Sequence, residues 1–222
     1  MTLSERIQRT LQDPLALGGL IVNLIPIYAV LFLGWGAAPV VFLYWLENVV
    51  MGGITLARMT ASTMKQHPIG LVGMLIHGPF FTVHYGMFCF VHGILLASFA
   101  TIGTPNEGGD FFSPSVVLQT ALGSGEYMPI FLAIIIGWQI ALYVIDFLIG
   151  GQFRHASLEK EMMAPYANLM VLHVALILGG GLMMALGEPL MGVLALVLLR
   201  AAWGIFLDMR RVLRTASADI KS

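Results

Sequence analysis

Glu47, His84, His92 and His173 are residues of the kinds that hold metals or move protons, and each stands in otherwise apolar company. Two imidazoles and a carboxylate from separate helices make the donor set of a zinc centre with an open position, where a bound water is acidified for hydrolysis. His77, Asp146 and Arg200 lie in similar surroundings. An aspartate orients an imidazole or carries a proton, and an arginine neutralises a buried carboxylate. The candidate metal ligands are therefore Glu47, His84, His92 and His173, with zinc the expected ion. The candidate catalytic groups are Glu47, Asp146 and Arg200.

Spacing restricts how these residues can combine. His77 and His84 are seven apart and His92 follows eight later. Two ligands from one helix are normally three or four apart, as in HExxH. The three histidines span more than about 20 Å of helix, so no single ion can take them all. A site must draw one ligand per helix. Glu47, His84 and His173, with Arg200 near, are the expected central cluster. His92 is expected to serve as an outer ligand or proton relay, and His77 with Asp146 as an inner pair. At about 100° per residue the three histidines fall on one broad side of the helix, predicting a polar stripe that faces the bundle rather than lipid.

The elements that hold these residues follow from composition. The 222 residues are 58% hydrophobic and only 10% charged, with mean hydropathy +0.87. That is too few charges to clothe a water-facing surface, and it reads as an all-α integral membrane protein whose main partner is the lipid bilayer. A net charge of -1 and a pI near 6.6 offer no basic footprint for nucleic acid. The single cysteine, Cys89, excludes an intrachain disulfide and any CxxC motif. The 14 methionines are scattered and read as apolar filler. Nothing in the pattern identifies a protein partner.

Six stretches have the length a bilayer core requires, about 20 apolar residues. They cover about 15–35, 40–59, 70–97, 129–150, 166–186 and 190–209. The run from Leu15 to Leu33 exceeds a signal-peptide core, so it reads as a retained helix. Arg6, Arg9, Arg58, Lys65, Arg154, Lys160, Arg210, Arg211, Arg214 and Lys221 all fall on one side of a six-span chain. The loops at 36–39, 98–128 and 187–189 contain no Lys or Arg. Both termini are therefore expected in the cytoplasm. The chain reads as one transmembrane domain over 1–222, a six-helix bundle preceded by a short interfacial helix at about 2–12. Pro79 predicts a kink in the long third span. Ser113-Pro114 predicts a capped short helix to about Leu122 in the outer loop. Ser157–Met163 predicts a helical turn closed by Pro165.

Depth was reckoned from each span's centre at about 1.5 Å per residue. It places His84 and Arg200 near the middle, Glu47 roughly 4 Å outward and His173 roughly 4 Å inward. His92 falls about 12 Å outward, and His77 and Asp146 about 10 Å inward. A charge at mid-bilayer costs about 2.5–3.5 kcal/mol, so such residues must be paired, neutralised or hydrated.

Tyr44-Trp45-Leu46-Glu47-Asn48, then His84-Tyr85-Gly86-Met87-Phe88 and His92-Gly93, resemble the YWxEN and HYGxFxxxHG motifs of a prokaryotic multi-pass membrane family of unknown function. Pro165-Tyr166, Leu172-His173, Gly187-Glu188-Pro189 and a basic residue in the last span extend the resemblance. Arg200 stands where the family is expected to carry lysine, and Ala201 and Gly204 depart from its polar tail. The resemblance implies a six-span bundle in the cytoplasmic (inner) membrane. It marks Glu47, His84, His92 and His173, and it implies no activity.

Four functions compete. A zinc-dependent membrane hydrolase uses the central cluster. A proton- or ion-coupled transporter uses polar residues at several depths. A redox protein holds one haem between His173 and His77 or His84. A non-catalytic scaffold uses the polar groups only to fix helix packing.

Overall fold

A computed structural model describes residues 14–63, 68–101 and 110–186. The expected N-terminal helix, Lys65, the sixth span, Arg200 and the basic C-terminal residues lie outside them. Every regular element among the described residues is helical. They are α1 (Pro14–Leu33), α2 (Ala37–Thr63), α3 (Pro68–Thr101), α4 (Pro114–Gly123), α5 (Met128–Ala141), α6 (Leu158–Met163) and α7 (Tyr166–Leu186). A π-helical segment, Leu142–Ile149, continues α5, and a single 3-10 turn, Gln152–Arg154, follows it.

Four stretches among the described residues are long and apolar enough to cross a membrane: Pro14–Leu33, Ala37–Thr63, Val72–Thr101 and Met128–Ile149. They match the first four expected spans to within a few residues. α7 forms over the range expected of the fifth. Both short helices also form where their signals stand. Ser113 precedes a first-turn proline in α4, and the Ser157 hydroxyl accepts from the Lys160 amide at the start of α6. α3 runs through Pro79 as a single 34-residue element.

Large rings laid on glycines set the helix spacings. Trp45 on α2 covers Gly93 on α3 so closely that a Cβ there would sit 2.7 Å from the indole. The indole Nε1–H donates to the Cys89 carbonyl at 2.7 Å. Two turns away the roles reverse: Tyr85 on α3 covers Gly52 on α2, where a Cβ would meet the ring at 2.8 Å, and the phenol donates to the Asn48 carbonyl. These contacts run 45 to 93 and 52 to 85, so α2 and α3 are antiparallel. Trp138 on α5 covers Gly18 on α1 in the same way. Small residues permit this approach, and the lost area of a side chain is made up by dispersion against the ring. Val117 of α4 also packs on Gly93, so this short helix caps the α2–α3 joint. Its neighbour Phe111 is buried, whereas Phe112 is exposed.

Several threonine hydroxyls within the helices are closed on their own backbone. Thr60 donates to Leu56 O, Thr82 to Gly78 O, Thr101 to Ala97 O and Thr120 to Val116 O. This arrangement keeps polar atoms bonded where water is absent.

One pair of substitutions separates packing from propensity. Gly93→Ala should lower stability by about 1–3 kcal/mol because the indole has nowhere to go. Gly53→Ala, one position beyond the covered Gly52 and facing open space, should be neutral or stabilising by up to about 1 kcal/mol. Thermal unfolding of both variants in one detergent checks this.

Candidate functional site

α3 presents two different faces. Phe81, Tyr85, Cys89, His92 and Leu96 are buried, and their spacing of four, four, three and four makes one helical stripe. Phe80, Val83, Met87, Phe88 and Val91 are exposed apolar residues forming another. His84 lies in the middle of that exposed stripe and is half-buried. The three histidines therefore do not share a bundle-facing stripe, which corrects the expectation. His92 looks into the protein, while His84 and His77 lie on the outer face. The 80° offset of His92 decides it, because the boundary between faces falls within that angle.

α7 supplies a partner for each of the two motif histidines. The His92 Nε2 and His173 Nδ1 atoms are 2.8 Å apart, joined by one hydrogen bond between rings whose centroids are 5.1 Å apart. His92 is only 2% exposed, and its Nδ1 is buried with no hydrogen-bond partner. Nearer the start of both helices, the Tyr166 hydroxyl and His84 Nδ1 are 2.8 Å apart. The pairs run 84 to 166 and 92 to 173, so α3 and α7 are parallel here. They form two rungs of one seam, about 12 Å apart along the helix.

That register overturns the expected depths. His173 was placed inward of His84 and far from His92, yet it bonds His92 directly. The reason is length. The 34 residues of α3 extend about 51 Å against a bilayer core of about 30 Å, so the midpoint of α3 does not by itself fix a level in the membrane. Its first turns run beside α6, with Leu158 against Gly73.

The other expected groupings also change. His77 and Asp146 do not pair. The His77 Nδ1 bonds the Gly73 carbonyl of its own helix at 2.9 Å. Asp146 accepts from the Gln152 amide at 2.7 Å. Asp146 sits in the π-helical segment, which packs on α2 rather than α3: Phe147 is buried under the Arg58 guanidinium at 4.1 Å, and Tyr143 donates to Ala57 O. Arg58 also meets Glu161 of α6 at 2.6 Å, tying the segment before α7 to α2. Glu47 is half-buried on α2 beside Asn48 and within electrostatic reach of Tyr85.

A catalytic zinc takes three protein ligands. Among the described residues, no three of His, Cys, Asp and Glu are placed to share an ion. The expected central cluster of Glu47, His84 and His173 is split, since His84 belongs to Tyr166 and His173 to His92. Among the described residues the side chains do not fit that centre. The haem arrangement meets a similar obstacle: His173 faces His92 rather than His77 or His84, and nitrogens in hydrogen-bond contact leave no room for an iron between them.

A family model described as a family of unknown function (DUF6498) matches residues 5–221. The chain belongs to the DUF6498 family. No curated protein and no solved structure matches it. In this DUF6498 chain Tyr166, Trp45, Asn48 and Tyr85 also build the site, beyond the residues the sequence singles out. Their signal was a polar atom on a ring or short amide inside an apolar span, where every such atom needs a partner.

The two imidazoles can be tested for direct contact. Phe replacements at His92 and His173, alone and together, should show a coupling of about 0.5–1.5 kcal/mol in a double-mutant cycle of unfolding. Additive losses would mean the rings do not bond.

Proposed function

We propose that this polytopic protein spans the membrane six times with both termini in the cytoplasm, and that it moves protons along the α3–α7 seam. Its setting is a prokaryotic inner membrane, and its activity is proton-coupled transport of a solute or ion. The observation that carries this reading is the buried His92–His173 hydrogen bond with His92 Nδ1 left open beside it.

A neutral imidazole has one donor and one acceptor nitrogen, so a pair in contact is a unit for passing protons. A proton taken up at His92 Nδ1 makes that ring cationic. The ring then gives its Nε2 proton to His173 Nδ1. His173 in turn releases a proton from Nε2. Each ring ends in the opposite tautomer, and a ring flip or a return transfer resets the pair. The cation exists only on a ring hydrogen-bonded to its acceptor and passes straight on, which matters because an uncompensated ion in hydrocarbon is costly. The Tyr166–His84 rung extends the same seam towards the N-terminal ends of both helices.

Reconstitution into proteoliposomes containing a pH-sensitive dye tests the reading. Under an imposed membrane potential the protein should acidify or alkalinise the lumen. His173→Phe should slow that flux by at least about tenfold, the consequence of losing a bond of about 1.4 kcal/mol in the rate-limiting step. A His77→Phe variant should keep it, because His77 bonds only its own helix. Equal flux in wild type and His173→Phe would refute the proposal.

A further inference from the structure

The exposed face of α3 holds one feature that packing does not account for. His84 stands in an apolar stripe of Phe80, Val83, Met87 and Phe88, on a surface suited only to lipid. Its ring stacks on Phe80, with centroids 5.3 Å apart and planes 13° apart. It meets Phe88 edge-on at 5.2 Å. Tyr166 reaches round from α7 to bond Nδ1. Among the described residues, Nε2 has no hydrogen-bond partner. A half-exposed imidazole nitrogen in hydrocarbon lacks the water that would satisfy it. His77, seven residues earlier on the same face, closes a ring nitrogen on its own backbone. His84 instead takes its Nδ1 partner from α7 and lies against two exposed phenyl rings.

We infer that His84, Phe80, Phe88 and Tyr166 form a binding site, open to the bilayer, for the head group of a lipid-soluble quinone or quinol. Three requirements select that class. The ligand must reach the site through lipid, so it carries an apolar tail. It must meet Nε2 with a carbonyl or hydroxyl oxygen. It must be a flat ring, because Phe80 and Phe88 offer ring surfaces against which an offset or edge-on aromatic is favoured by about 0.5–1.5 kcal/mol. A phospholipid ester meets the first two requirements and fails the third. The inference concerns binding alone, and it does not depend on proton movement along the seam.

The full-length protein in lipid nanodiscs, illuminated with a short-tailed azido-benzoquinone and digested for mass spectrometry, tests the site. Label should concentrate on the α3 peptide carrying Phe80 to Val91 and be competed by unlabelled short-tailed benzoquinone. In His84→Phe it should fall about three- to tenfold, the worth of one hydrogen bond to the imidazole. Phe80→Leu alters an exposed side chain without disturbing the core, and it should weaken labelling in a protein of unchanged stability. Label spread evenly over α1, α3 and α5, or unchanged in these variants, would overturn the inference. So would competition by phospholipid but not by the quinone.

Discussion

A hydrocarbon interior gives a polar atom no solvent partner, so each N–H, O–H and ring nitrogen within the spans must find a protein group or accept a penalty of several kcal/mol. Much of the local architecture follows from that constraint. Threonine hydroxyls turn back on their own helices. The indole of Trp45 and the phenol of Tyr85 are long enough to reach backbone carbonyls on the neighbouring helix. They can do so only because Gly93 and Gly52 let α2 and α3 approach within ring thickness. Once that joint is set, the remaining face of α3 is fixed in rotation. His92 is turned inward to His173, and His84 is turned outward, against Phe80 and Phe88 and hydrogen-bonded to Tyr166.

The joint also explains why the motif residues occur together. Trp45 and Asn48 bind the α3 segment whose histidines are in question, and Gly93 follows His92 directly. A packing contact and a chemical group therefore share one turn of helix. The lock of Arg58 on Glu161 and Phe147 holds α6 against α2. α6 leads through Pro165 into Tyr166, so this lock places the start of α7 and with it both rungs of the seam. The polar contacts at the base and the middle of the bundle thus belong to one mechanical chain.

Helix positions were legible in the sequence because apolar length and capping chemistry are local. Ser113-Pro114 and Ser157 announce their helices without reference to anything distant. The facing and depth of the histidines were not legible. A period of 100° places His92 near the border between faces, and only the ring-on-glycine contacts of Trp45 and Tyr85 say on which side it falls. Depth failed because α3 is longer than the membrane is thick, so its midpoint carried no information about level. Pairing across helices depends on register, and no residue in α7 states its register with α3. That is why His173 was matched with His84 and why Tyr166, the true partner, stood only as part of a resemblance.

The account rests on the direct bond between His92 and His173. Solid-state NMR of protein labelled with ¹⁵N at histidine, held in lipid bilayers, observes it most directly. The account predicts a through-hydrogen-bond correlation between one Nε2 and one Nδ1, lost in His92→Phe and in His173→Phe alike. Two histidines with independent tautomer signals and no such correlation would contradict it.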